Sequence, residues 1–150
     1  MSVEILSEST PELVDAMQRL IPQLSRSAQP MDADACERFV AQPGVFLFVF
    51  RPDQPASGQT DRPILGMLSL ATFEIPTGVR AWVEDVVVDE AARGHGAGQA
   101  LVEAALAQAK EVGARTVDLT SRPSREAANR LYQRSGFALR ETNVYRVCLD

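Results

Sequence analysis

At 150 residues, with 45% apolar side chains and a formal net charge of -5, the chain has the size of one compact domain that buries about two thirds of its unfolded surface. Its acidity argues against a nucleic-acid partner, and no run reaches the 18 apolar residues of a membrane span. Met1 to Ser7 carries neither the basic nor the apolar region of a secretion signal, so residues 1–150 are expected to form a single soluble, cytoplasmic domain. Cys36 and Cys148 stand far apart without histidine spacing, which argues against a disulfide framework and against a metal site. The charge is uneven: residues 1–92 sum to -8 and residues 93–150 to +3, suiting a small anionic ligand on the second half and cations on the first.

Ser9 and Thr10 followed by Pro11 and Glu12 read as the start of a helix through Leu13, Met17, Leu20 and Ile21. A second short helix is expected from Met31 or Asp32 to about Gln42, stopped by Pro43-Gly44. Val45–Arg51 and Ile64–Ala71 are β-rich runs joined by a polar hairpin connection, Pro52 to Pro63, expected to be exposed. A third strand, Ala81–Asp89, contains the triple Val86-Val87-Val88 of a strand buried on both faces. The helix Gly96–Val112 presents Leu101, Val102, Ala105, Leu106 and Ala109 on one wide face, with Gly113 as its stop. Arg115–Ser121 returns as a strand, Arg125–Ser135 forms a last helix, and Phe137–Leu139 and Asn143–Leu149 read as two closing strands. Strand, crossover helix and strand from 81 to 121 make one right-handed parallel unit in an otherwise hairpin-like sheet, so the class is α+β, with a mixed central sheet and about four helices.

The segment from Trp82 to Gln99 carries the chemistry. An apolar strand breaks into Arg93-Gly94-His95-Gly96-Ala97-Gly98 and feeds a helix, so unpaired N–H groups at the helix start can approach an anion closely. A triphosphate P-loop requires Lys and Ser or Thr after its last glycine, where this chain has Gln99 and Ala100. A dinucleotide loop requires glycine or alanine where Gln99 and Leu101 stand. Both patterns fail.

Arg93-Gly94-His95-Gly96-Ala97-Gly98 matches R/Q-x-x-G-x-G/A, and Arg125 to Phe137 matches A-x-x-L-Y-x-x-x-G-F. In this order, with a helix and a strand between them, the two motifs resemble the GNAT superfamily of acyl-CoA-dependent N-acetyltransferases over nearly the whole chain. The resemblance implies a GNAT fold and acetyl-CoA as acyl donor, without a metal. It lays the backbone of Val86, Val87 and Val88 along the pantetheine arm and gives the pyrophosphate to the loop Arg93, Gly94, His95, Gly96, Ala97, Gly98 and Gln99. It directs Asn129 and Tyr132, one helical turn apart, toward the thioester end. Many members carry an asparagine seven residues before the tyrosine, where this chain has Arg125; that residue is a candidate for a phosphate contact instead. A homodimer through the C-terminal strands is compatible with the resemblance and is not required by these residues.

Acetyl transfer needs a neutral amine, yet an alkylamine with pKa about 10.4 is deprotonated in only about one molecule in a few thousand at pH 7. It also needs a proton for the departing thiolate and an N–H for the carbonyl oxygen. Tyr132 takes the role of general acid by resemblance. Glu84 is the nearest candidate base, directly or through water, and its alternative is a solvated strand carboxylate; Asp85, on the opposite face of a regular strand, competes with it. His95 fills a variable slot and reads as an exposed loop residue. The acidic first half, including Glu74 and Glu84 beside an acceptor cleft built by the first helices and the 74–80 loop, should favour a cationic amine. The competing function is a non-catalytic acyl-CoA-binding sensor or interaction module of the same fold.

Overall fold

The computed structural model describes residues 2–54 and 61–150. Residues 1–120 and 121–150 form two compact units. In the first, β1 (Ser2–Leu6) is followed by α1 (Pro11–Leu24), α2 (Ala33–Val40), β2 (Val45–Arg51), β3 (Gly66–Ile75), β4 (Gly78–Val88), a single 3-10 turn at Glu90–Ala92, α3 (Ala97–Glu111) and β5 (Ala114–Asp118). The second contains α4 (Glu126–Arg134).

The helices start where the polar residues place them. Thr10 Oγ1 accepts the Leu13 N–H at 3.2 Å with Pro11 at the first helical position, and Asp32 Oδ1 accepts the Ala35 N–H at 2.9 Å to begin α2. Each cap satisfies a donor that helix geometry orphans. Leu13, Ala16, Met17 and Leu20 recur at helical spacing on α1 and are all buried. They pack with Cys36 of α2 and with Leu47, Val49, Met67 and Val87 of the sheet. Phe48, Phe50, Leu68 and Leu70 are also buried and alternate with those strand residues, so they take the opposite face. α3 packs on β2, β3 and β4 with Leu101, Val102, Ala105 and Ala109 buried.

Among the described residues the sheet has the order β1-β2-β3-β4-β5. The first three pairings are antiparallel; β4 and β5 are parallel, joined by the α3 crossover. The α+β class and the parallel unit match the sequence reading. The strand β1 was not expected: five residues are too few for periodicity to register, yet Leu6 pairs with Leu47 and Ser2 with Arg51. β3 runs on to Ile75 and β4 begins at Gly78, with Ile75 opposite Gly78. The expected 74–80 loop is therefore a hairpin with a two-residue turn, Pro76-Thr77. Part of the 52–63 connection, residues 55–60, lies outside the described residues.

The expected closing strands at Phe137–Leu139 and Asn143–Leu149 are absent, because residues 137–150 form no ladder. Leu139 and Leu149 are each 94% exposed and Tyr145 is 88% exposed. Alternating apolar residues make a strand only when a neighbouring strand pairs with them, and apolar alternation does not supply that ladder.

Arg51 fastens the first unit at one end of the sheet. Its guanidinium donates to Glu12 Oε1 and Oε2 at 2.6 and 2.8 Å, to Glu4 Oε1 at 2.7 Å and to the Arg62 carbonyl at 2.8 Å, so β1, α1 and β2 meet on one cation. The Arg51 hydrogen bond holds the Glu12 carboxyl below its ordinary range. Both carboxylates are about half exposed, so screening limits the network: Arg51→Met should cost about 1 kcal/mol in urea unfolding at pH 7. Since the folded pKa of Glu12 is depressed, its contribution is present above the unfolded value and disappears as pH falls through the folded one. The gap between parent and variant should close in acid.

Candidate functional site

β4 is interrupted where it matters. Ser69 pairs with Glu84 and Met67 with Val87, so Asp85 and Val86 together oppose the single residue Leu68. This is a β-bulge, and Asp85 sits in it with φ 50°, a left-handed conformation that aspartate tolerates better than most residues. The extra residue resets the alternation, so Val87 joins the core cluster under α1. It also corrects the expectation that Glu84 and Asp85 take opposite faces of a regular strand. Both side chains are exposed.

The other edge of β4 opens at the same level. β4 pairs with β5 only from Val79 to Trp82, yet it continues to Val88. Among the described residues, 83–88 therefore run on with no strand paired to them on that edge, leaving backbone groups for an extended partner. Val86 and Val88 are half-buried and Val87 is buried.

At the end of this open edge the chain turns through Glu90–Ala92 and enters the glycine loop. Gly94 and Gly96 take φ values of 84° and 80°, which explains glycine at both positions. Gly96 caps α3 without a side-chain hydrogen bond, and no acidic residue occupies the first turn. The first intrahelical bond found at this end runs from the Ala100 N–H to the Gly96 carbonyl at 3.0 Å. The N–H groups of Ala97, Gly98 and Gln99 are thus the orphan donors of an uncapped helix start, an arrangement that receives an anion. Arg93 is exposed, with Nε 3.4 Å from the Val88 carbonyl and Nη1 3.9 Å from Glu90. Gln99 Nε2 donates to Glu103 at 2.9 Å, while its Oε1 is buried with no partner among the described residues. His95 is exposed on the loop, and Ala97 is buried.

Glu84, Val86, Val87, Val88 and Arg93 to Gln99 therefore lie along one continuous strand, turn and helix start in the first unit. Asn129 and Tyr132 belong to the second, where α4 sets them three residues apart on neighbouring positions of one face. Asn129 Nδ2 donates to the Arg122 carbonyl at 2.9 Å, which ties the entry of α4 and leaves the amide oxygen as acceptor. Tyr132 is 8% exposed, with its ring edge-on to Phe137 at 5.9 Å between centroids. Burial pushes its phenol above the ordinary tyrosine value, with Arg125 pulling weakly the other way. The hydroxyl accordingly stays protonated at neutral pH. Sequence reasoning missed the bulge and the early end of the β4–β5 pairing; the adjacent carboxylates Glu84-Asp85, interrupting an apolar run, were the available signal for the first.

The family model of the acetyltransferase (GNAT) family matches residues 12–137. Solved structures of similar fold include an acetyltransferase of Trypanosoma brucei, 24% identical with 99% of each chain covered and a TM-score of 0.74. An aminoglycoside acetyltransferase from an uncultured soil metagenomic sample, in complex with trehalose, is 17% identical over 99% of this chain and 96% of that one, with a TM-score of 0.80. The ribosomal-protein-alanine N-acetyltransferase of Brucella melitensis biovar Abortus 2308 is 18% identical over 99% of this chain and 100% of that one, with a TM-score of 0.75. None of the curated proteins matches the chain. At these identities the likeness to the solved structures is one of fold.

Proposed function

The chain belongs to the acetyltransferase (GNAT) family, and on that premise we propose that it moves an acetyl group from acetyl-CoA directly to a primary amine. One observation carries the choice of donor: β4 outruns its pairing with β5 after Trp82 and leads into an uncapped helix start. An open strand edge ending in an anion cradle suits a ligand made of an extended amide-bearing arm joined to a pyrophosphate. The residues present fit that ligand, since the loop brings orphan N–H donors, no first-turn carboxylate and an adjacent arginine.

In this reading the backbone of Val86 to Val88 pairs with the arm, and the N–H groups from Gly94 to Gln99 hold the pyrophosphate. A backbone N–H at the Asp85–Val86 bulge is the donor for the carbonyl oxygen that gains charge during transfer. Tyr132 protonates the departing thiolate, for which its raised phenol pKa keeps the proton available. Glu84, exposed beside the bulge, draws the proton from the amine through water. Much of the rate comes from holding both reactants together, and no covalent enzyme intermediate is required.

The donor assignment is tested by calorimetric titration. Coenzyme A should bind at least about tenfold more tightly than pantetheine, which lacks the pyrophosphate; equal affinities would remove the loop from the donor site. The acceptor is proposed to be cationic, because the first half of the chain carries the acidic excess. With the loop confirmed, amine and polyamine acceptors should react faster than anionic amino acids, by a ratio that shrinks as salt is added. Equal rates at low salt would refute the charge preference.

A further inference from the structure

Resting on the reading of Arg93 to Gln99 as the pyrophosphate cradle, we propose that Arg19 and Gln23, one turn apart on α1, are positioning residues that set where that cradle stands at the end of β4. The helical part of the cradle, Ala97 to Gln99, is held by α3, where Ala97 is buried. Its entry has little to hold it: the Cβ direction at Gly94 meets nothing within 4 Å, and the contacts of Arg93 are long. The entry takes its place from the turn before it, and that turn is pinned from α1.

The Glu90 N–H donates to Gln23 Oε1 at 3.1 Å. The orientation of that amide is fixed in turn, because Gln23 Nε2 donates to the Arg19 carbonyl at 3.2 Å. Arg19 spans the strand exits. Its Nη1 and Nη2 donate to the Ile64 carbonyl at 3.3 and 2.5 Å, and its Nε lies 3.7 Å from Asp89 Oδ2. Asp89 is the hub of the turn: its N–H donates to the Leu65 carbonyl at 2.8 Å, its carbonyl accepts the Ala92 N–H at 2.8 Å and its Oδ1 accepts the Ala91 N–H at 3.0 Å. Arg19 therefore reaches both the residue leading into β3 and the residue leaving β4, and its cation offsets a carboxylate that stands just ahead of an anion site. A helix on the other face of the sheet from α3 thus fixes the approach to the α3 N-terminus.

The test compares two donors that share the thioester and the arm, acetyl-CoA and S-acetylpantetheine, in Arg19→Met and Gln23→Leu. Each variant should raise KM for acetyl-CoA about tenfold, leave kcat within about twofold, and leave the kinetics with S-acetylpantetheine within about twofold of the parent. Arg19→Lys, which keeps the charge and a donor, should recover part of the loss. Equal losses with both donors would assign these residues a general structural role and overturn the proposal, as would unchanged KM values in variants whose melting curves match the parent. A parent that uses the two donors equally well would overturn the cradle reading itself, a failure visible before any variant is made.

Discussion

Replacing Tyr132 by phenylalanine is expected to lower kcat by about 10²–10³-fold while KM for acetyl-CoA stays within about threefold of the parent. The substitution keeps the aromatic ring and its edge-on contact with Phe137, so packing is preserved and the hydroxyl proton alone is removed. A thiolate leaving without a proton donor carries full charge in the transition state, and the loss falls on the chemical step rather than on donor binding. Steady-state kinetics with saturating acetyl-CoA separates the two; a kcat within about threefold of the parent would take the acid role from Tyr132.

The pH profile should carry the same residue's signature. Burial raises the Tyr132 phenol and the smaller effect of Arg125 opposes it, so the protonated form that the proposed acid role requires persists through neutral pH and is lost only as pH rises through the elevated value. The parent should therefore show an alkaline fall in kcat that lies above the ordinary tyrosine range and is missing from Tyr132→Phe. Stability follows the same sign: a folded pKa raised above the unfolded one contributes below the unfolded value and is lost as pH rises through the folded one.

The second large effect is expected at Gly94. Its φ of 84° and the empty space beyond its Cβ direction allow aspartate or asparagine, the residues that best tolerate this conformation. Gly94→Asp and Gly94→Asn differ in shape by almost nothing and in charge by one unit. If the loop holds a pyrophosphate, the aspartate variant should raise KM for acetyl-CoA about 100-fold and the asparagine variant at most about tenfold. The two should unfold within about 0.5 kcal/mol of each other. Equal KM values for the pair would mean that no anion sits at this loop.

Much of the local geometry around the candidate site was legible because its signals are local. Glycine at 94 and 96 encodes the positive φ values that the loop adopts, Thr10-Pro11 and Asp32 encode the helix starts, and Val45–Arg51 forms the strand its composition announces. What was hidden depends on partners far along the chain. The bulge at Asp85 exists in the register between β3 and β4, and the open edge exists because β5 stops pairing at Asp118, opposite Trp82. Gln23 meets Glu90 across 67 positions of sequence, a contact that no window of neighbouring residues contains. The C-terminal residues show the converse error: Asn143 to Leu149 has a strand's composition, but composition does not supply the ladder that makes a strand.

The most direct measurement is amine-dependent release of coenzyme A thiol from acetyl-CoA across a panel of polyamines, aminoglycosides and peptide N-termini, with mass spectrometry of each acceptor. The expected result is that at least one primary amine accelerates thiol release and gains one acetyl group, and that Tyr132→Phe suppresses both together. Tight binding of acetyl-CoA with no amine in any class accelerating its turnover would contradict it.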